Sequence, residues 1–289
     1  MRLAILASAD SGYYRDLTRA AGDHGHHVER WDFPQIIGSI RTGGETFHVG
    51  EAAASDVDAI IVRTMPPGSL EQVVVRMDWL ARLEARGVRV INPPKSLECA
   101  VDKYLTTSRL TAAGLPVPDT IVCESPEAAL LALDQLGGDV VVKPLFGAEG
   151  RGIVRVSDPD IGQRVFFTLS RMQSVLYLQR FIDHGGSDVR VLVLDGKVLG
   201  GMRRIAENDF RTNVSRQARG ESHQPTATEI DWALRATAAT GAIFAGVDIL
   251  YDRLGHGYVI EVNAVPGWKA FARANQINIA DVFIQWLMH

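Results

Sequence analysis

The sequence predicts an α/β module followed by an α+β region, and three observations carry that expectation. Short apolar strands alternate with helices as far as Ile91, Asn92-Pro93-Pro94 then interrupts the pattern, and beyond it polar Gly- and Asp-rich turns separate β-branched and aromatic runs. Strand–helix alternation calls for parallel strands joined by crossovers, whereas tight polar turns call for antiparallel hairpins.

In the first unit, expected over residues 1–94, strands are predicted at 2–8, 27–31, 59–63 and 88–91, with helices at 13–25 and 69–86. The opening run ends in Ala7-Ser8-Ala9 like a signal peptide, but its apolar stretch is short and Asp10 follows at once, so it reads as a first strand. The cluster His24-Gly25-His26-His27 lies where a helix enters a strand and lacks a helical i,i+4 pair, so it reads as ordinary polar residues rather than metal ligands.

At 289 residues and 46% hydrophobic, the chain can bury a large core in two or three modules. A net charge of −4 and a pI near 6.1 provide no global positive field to recruit nucleic acid or an anionic membrane. Cys99 and Cys123 show no zinc-like spacing and read as thiols of a reducing cytoplasm. No run approaches the ~18 apolar residues of a membrane span.

After the prolines a helix is expected over 101–113, with Asp102-Lys103 at its start, where a lysine is ordinarily a solvated residue. A strand over 139–145 carries Lys143 inside an apolar run, an unusual place for an unpaired cation. Gly147, Gly150 and Gly152 then separate it from a strand over 153–156. This spacing fits neither a dinucleotide-binding turn nor a Walker loop. It leaves two readings: an ordinary glycine-rich hairpin, or a flexible one whose bare amides fold over phosphates beside Lys143. A strand over 175–182 ends in Gln179-Arg180-Phe181-Ile182.

Asp195-Gly196 marks a hairpin between strands over 187–194 and 197–204, which puts Asp188 opposite Arg203 and on the same face as Arg190. Arg211, Arg216 and Arg219 cluster around Asn213, a set suited to bidentate capture of phosphate or carboxylate. Helices are expected over 226–239 and 279–289. Between them lies a last hairpin, 246–251 with 258–263. Symmetry about Leu254 and Gly255 sets Asp248 opposite Glu261, with Asn263 beside Glu261 on the same face. Carboxylates about 5 Å apart repel by roughly 3 kcal/mol at an effective dielectric of ~20. Protonation or a bound cation relieves that repulsion, and two carboxylates with an amide oxygen suit Mg²⁺. A different register would instead turn both acids to solvent.

Taken together, Asp102-Lys103, Lys143 with the glycine hairpin, Gln179-Arg180-Phe181-Ile182, Asp188-Val189-Arg190, Phe210-Arg211-Thr212-Asn213, Gly246-Val247-Asp248 and Glu261-Val262-Asn263-x-x-Pro266-Gly267 resemble the ATP-grasp superfamily, and within it the RimK-like carboxylate–amine ligases. The resemblance covers about 92–289. It implies an ATP-grasp fold, with ATP between a central α+β lobe (95–178) and a C-terminal α+β lobe (179–289). Lys103 and Lys143 would contact phosphates, the 147–152 loop would close over them, and Gln179, Arg180, Phe181 and Ile182 would present backbone groups to adenine. Asp188 would bind ribose; Arg211 would line the phosphate and acyl site with Asn213, and Arg203 and Arg216 would help hold the carboxylate. Asp248, Glu261 and Asn263 would hold Mg²⁺ or Mn²⁺. Relatives usually have Glu where Arg180 stands, which puts the purine contact in question.

The activity so implied is amide formation through an acylphosphate. L-glutamate would be joined to a carboxylate acceptor, either a tetrahydromethanopterin-type cofactor or a protein C-terminal tail, in a cytoplasmic homo-oligomer. Phe146 and Trp268 could stack a flat ring, which favours the pterin. The rival readings are a non-catalytic nucleotide-binding module and a kinase or carboxylase using the same ATP site.

Overall fold

Near-continuous runs of Ile, Leu, Val and Ala at the N-terminus make strands buried on both faces, as a parallel sheet between helices requires. The computed structural model of the protein describes residues 1–147, 151–206 and 219–289. Strand β1 (Arg2–Leu6) leads through α1 (Gly12–Asp23) to β2 (His27–Trp31). A small antiparallel sheet follows, made of β3 (Ile36–Arg41), β4 (Gly44–Val49) and β5 (Ala52–Ala53). The chain returns as β6 (Ala59–Val62), α2 (Leu70–Glu84) and β7 (Arg89–Ile91), giving a parallel sheet in the order β2-β1-β6-β7. The small antiparallel sheet is absent from the sequence expectation. Its apolar residues do not mark one face cleanly: Ile36 and Phe47 are buried in the core, whereas Ile37 is 60% and Ile40 83% exposed.

The boundary after β7 is a buried anchor. The Asn92 side chain donates to the carbonyls of Phe244 and Ala264, and accepts from the amides of Ile243 and Phe244. It thereby bolts the first module to the C-terminal sheet. Pro94 opens α3 (Pro94–Val101), where a missing N–H costs nothing. The helix expected over 101–113 starts two residues later, as α4 (Lys103–Ala112). Asp102 leaves the helical conformation and caps the Leu105 amide at 3.0 Å, which divides α3 from α4.

The central sheet contains β8 (Thr120–Cys123), β9 (Val140–Lys143), β10 (Val154–Val156) and β11 (Leu176–Arg180) in the order β10-β9-β11-β8, all antiparallel. Helices α5 (Pro126–Gln135) and α6 (Pro159–Arg171) cover one face, where Val140, Val142, Leu176 and Leu178 pack against Ala132 and Phe166. The opposite face carries Val141, Lys143, Tyr177 and Gln179. Strand β11 runs on to Arg180, across the expected 178/179 division.

The C-terminal sheet is wholly antiparallel, in the order β14-β13-β12-β15-β16. Its strands are β12 (Ser187–Leu194), β13 (Lys197–Ile205), β14 (Arg219–His223), β15 (Phe244–Tyr251) and β16 (Gly257–Asn263). Val189, Val191 and Val193 of β12 pack against Ala233 and Ala236 of α7 (Ala227–Thr240). The other face is divided along its length. Leu192, Leu194 and Phe244 are covered by Phe271 of α8 (Lys269–Asn275) and Phe283 of α9 (Ile279–Leu287). Beyond that cover the same face carries Asp188, Arg190, Arg204 and Asp248. Among the described residues, no helix is long and apolar enough to cross a membrane.

Candidate active site

The uncovered faces of the central and C-terminal sheets line a cleft of about 860 Å³, its open mouth included. Lys103, Lys143, Gln179, Arg180, Phe181, Ile182, Asp188, Asp248 and Glu261 all line it, so most of the described expected residues meet in one place. Apolar walls come from Val141 and Ile153 on one side and Leu250 and Ile260 on the other.

On the central-sheet side, Lys143 stands opposite Tyr177 and donates to Gln179 Oε1 at 2.6 Å. Gln179 in turn donates to Thr120 Oγ1 at 3.0 Å and Tyr177 OH at 3.2 Å, and Tyr177 OH meets Thr107 Oγ1 at 2.8 Å. This neutral chain holds the lysine without cancelling its charge. Burial pulls the Lys143 ammonium down to about 8; the carboxylates of Glu261 and Asp248 oppose that fall and Lys103 adds to it. Burial also lowers the Lys103 ammonium, which donates to the Gly147 carbonyl at 2.9 Å, at the root of the loop. The hairpin itself is present, with Val154 paired to Val142. Gly150 lies outside the described residues.

On the other side a chain of ions crosses three strands, β13, β12 and β15. Arg190 grips Asp248 with two parallel bonds, Nε to Oδ1 at 2.6 Å and Nη2 to Oδ2 at 2.7 Å. Arg204 donates from Nη2 to Asp248 Oδ2 at 2.8 Å and makes a two-pronged contact with Asp188. Burial would raise the Asp248 carboxyl, but Arg190 and Arg204 outweigh it and hold the group at about 2. Asp248 does lie opposite Glu261, as the hairpin symmetry predicts. A bulge at Ile260 absorbs the irregular turn; without it Glu261 would fall on the wrong face. The repulsion expected of that pair is largely removed by the guanidinium groups, a remedy the hairpin alone does not reveal.

Three expectations need correction. Asp188 faces Arg204, not Arg203. β13 carries an extra residue at Leu199, next to Gly200 with φ +145°, and the resulting bulge shifts the register by one. Arg203 stands opposite Glu221 and is exposed, on the other face of the strand from Arg204. The paired glycines at 200–201 are the signal that could have exposed this bulge. Trp268 is 3% exposed, wedged against Tyr13 and Phe244, so it stacks no ligand. The amides of Arg180 and Phe181 are used within the fold, donating to Asp119 O and Asp139 O at 2.9 Å each, so neither is free for a base. The Arg180 side chain pairs with Asp119 at 3.2 Å. Arg211, Asn213 and Arg216 lie outside the described residues.

Glu261 has no ion pair or hydrogen bond among the described residues, and Asp248 Oδ1 accepts only one. Those oxygens, with Asn263 following on β16, are hard donors that fit Mg²⁺. No group of three or more His, Cys, Asp or Glu suited to a metal exists among the described residues.

The family model of the RimK PreATP-grasp domain matches residues 1–97, and that of the RimK-like ATP-grasp domain matches 100–287. A tetrahydromethanopterin:alpha-L-glutamate ligase of Methanosarcina acetivorans is 34% identical, covering 84% of this chain and 83% of its own. A probable alpha-L-glutamate ligase of Thioalkalivibrio sulfidiphilus is 32% identical over 99% of this chain and 95% of its own. Among solved structures, the ATP-grasp ligase PsnB complexed with minimal precursor superposes with a TM-score of 0.80 at 23% identity, over 99% of this chain and 98% of that one. A RimK domain protein of Sphaerobacter thermophilus gives 0.74 at 22% identity, with both chains fully covered. With both halves of its cleft matched in sequence and fold, this chain belongs to the RimK-like ATP-grasp family and is an ATP-dependent ligase that forms carbon–nitrogen bonds.

Proposed function

We propose that the chain joins L-glutamate to a carboxylate-bearing acceptor of the tetrahydromethanopterin type, activating the acceptor as an acylphosphate. The observation that carries this reading is Lys143: a desolvated cation with a neutral partner, facing Glu261 and Asp248 across an apolar-walled cleft. Lys143 and Lys103 hold the phosphates, the 147–152 loop with Gly147, Gly150 and Gly152 covers them, and Leu250, Ile260, Val141 and Ile153 enclose the base. Ile182, whose amide follows the two engaged ones, and Gln179 complete that side with Arg180 and Phe181. Asp188 faces the ribose. Glu261, Asp248 and Asn263 hold Mg²⁺, which supplies charge neutralisation for the transferring phosphoryl group. Arg211, Asn213 and Arg216 serve the acyl site. Phosphoryl transfer depends on positioning and electrostatics rather than on a protein nucleophile, and the cleft offers those two things.

Glutamate as the amine is supported by the names of the curated relatives. A pterin-type acceptor is supported by the 34% identity of the Methanosarcina relative over most of both chains; the ring-stacking argument from Trp268 no longer contributes. The test is ADP release from ATP and Mg²⁺ with an acceptor panel, a tetrahydromethanopterin-type acid against a glutamate-ended peptide, each with and without L-glutamate. Release that requires both acceptor and glutamate, and is greatest with the pterin acid, supports the reading. Release indifferent to acceptor would overturn it.

A further inference from the structure

Where α1 begins, two cations lie against the same Tyr13 ring, and among the described residues neither has a carboxylate within salt-bridge distance. Arg63, at the end of β6, has its guanidinium carbon 4.3 Å from the Trp268 ring centre and 4.9 Å from that of Tyr13. Its Nη2 donates to the Pro266 carbonyl at 2.9 Å, while Nε is buried with no hydrogen-bond partner among the described residues. Burial lowers this guanidinium to about 10, so the environment penalises the charge it holds. Lys269, the first residue of α8, is exposed; its ammonium lies 5.4 Å from the Tyr13 ring centre and fills the space a side chain at Gly12 would take. That puts it at the positive end of α1, where the helix dipole disfavours a cation. Among the described residues, no carboxylate comes within 4.0 Å of either group.

Three positive features therefore converge where no carboxylate among the described residues balances them. The first turn of α1 carries no acidic residue, and its Ser11 cap is neutral. Charges gathered at such a cost without a counter-ion fit an anion supplied from outside. The cluster adjoins the reaction site: Pro266, whose carbonyl Arg63 holds, lies three residues beyond Asn263, and its ring flanks Gly246 alongside the Arg190 side chain. A guanidinium and an ammonium that share the Tyr13 ring suit a carboxylate, and the exposed Lys269 side admits a small molecule.

We infer that Arg63 and Lys269 form a subsite for a carboxylate of the amine substrate, holding an acidic amino acid with its amino group toward the acyl site. The identity of that substrate rests on the ligase reading above; the subsite itself does not. The two phosphate lysines and the magnesium carboxylates serve ATP and the activated acyl group, which leaves the carboxylates of an incoming glutamate unprovided for. The first module then contributes Arg63 and α1 directly to substrate binding, which gives a reason for the rigid junction at Asn92.

The experiment is calorimetric titration of L-glutamate, and separately L-glutamine, into the full chain with a non-hydrolysable ATP analogue and Mg²⁺, alongside steady-state turnover. Lys269→Ala is the primary variant because that side chain is exposed; Lys269→Arg is the conservative control, and Arg63→Lys tests the buried partner. Loss of one charge-assisted contact is expected to weaken glutamate binding about tenfold to a hundredfold in Lys269→Ala. KM for glutamate rises by the same factor and KM for ATP is unchanged, while Lys269→Arg restores binding to within about threefold. Glutamate binding to the wild type that is unaltered in both Lys269→Ala and Arg63→Lys overturns the subsite, as does a failure of the wild type to bind glutamate. Turnover separates the two readings: Lys269-dependent glutamate binding without amide formation sustains the subsite and defeats the ligase assignment, whereas amide formation at unaltered KM in the variants does the reverse.

Discussion

The two sheets that face each other across the cleft handle charge in opposite ways. On the central sheet, Lys143 is held by the uncharged Gln179–Tyr177–Thr120 chain, and its ammonium falls to about 8. On the C-terminal sheet, Asp188, Arg204, Asp248 and Arg190 neutralise one another, and Asp248 falls to about 2. The first arrangement leaves a positive charge seeking a partner, and is destabilised until an anion arrives. The second balances its own charges and works as a frame beside Glu261, which has no ion pair among the described residues, while Asp248 Oδ1 accepts a single hydrogen bond there. A ligand with phosphates and a divalent cation satisfies both sheets at once.

If that contrast is right, damage to the frame should cost stability, whereas damage to the lysine should cost binding. The largest effect is expected from Asp248→Asn, which leaves two buried guanidinium groups short of a counter-charge. Breaking a buried pair costs about 3–5 kcal/mol, to be read from the urea midpoint at constant m. Lys143→Met should do the reverse: nucleotide affinity falls about tenfold to a hundredfold, the worth of a charged hydrogen bond, with no drop in the unfolding midpoint. An equal loss of stability in the two variants would erase the distinction between the sheets. Glu261→Gln should leave the fold intact while removing ADP formation at magnesium concentrations that saturate the wild type. Normal turnover in that variant would remove Glu261 from the metal site.

The smallest effects are those of pH. The Lys143 ammonium titrates near 8 in the folded protein against 10.5 in the unfolded chain, so above pH 8 the unfolded chain binds the extra proton. Stability contributed by this site therefore rises between about pH 8 and 10.5, and the rise is absent from Lys143→Met. Phosphate prefers the protonated form, so ATP affinity falls over the same range by up to about tenfold per pH unit. Lys103, also lowered, adds to this with the same sign. The frame titrates with the same sign in a separate window: Asp248, at about 2 against 3.8 unfolded, contributes stability that is full above 3.8 and lost as pH falls through 2. A single pH profile shared by both sheets would contradict the comparison.

What could be read from the sequence followed the range of the interactions involved. Lys143 stood out because a charge in an apolar strand is visible locally, and Asp248 opposite Glu261 followed from one hairpin. The partners of Asp248 were harder to see. Arg190 is 58 residues away, on a neighbouring strand whose pairing no local turn defines. Arg204 was displaced from the expected register by a one-residue bulge, and such a slip turns every side chain beyond it to the other face. Trp268 looked available because its burial comes from Tyr13 and Phe244, both distant in sequence. The Arg63–Lys269 pair has the same character, as β6 and α8 meet only in the folded molecule.

The account requires that γ-phosphate pass to an acceptor carboxylate before the amine attacks. The most direct measurement uses ¹⁸O in the carboxylate of whichever acceptor sustains glutamate-dependent ADP release. The account predicts one labelled oxygen in inorganic phosphate for each amide bond formed. Unlabelled phosphate alongside normal amide formation would contradict it.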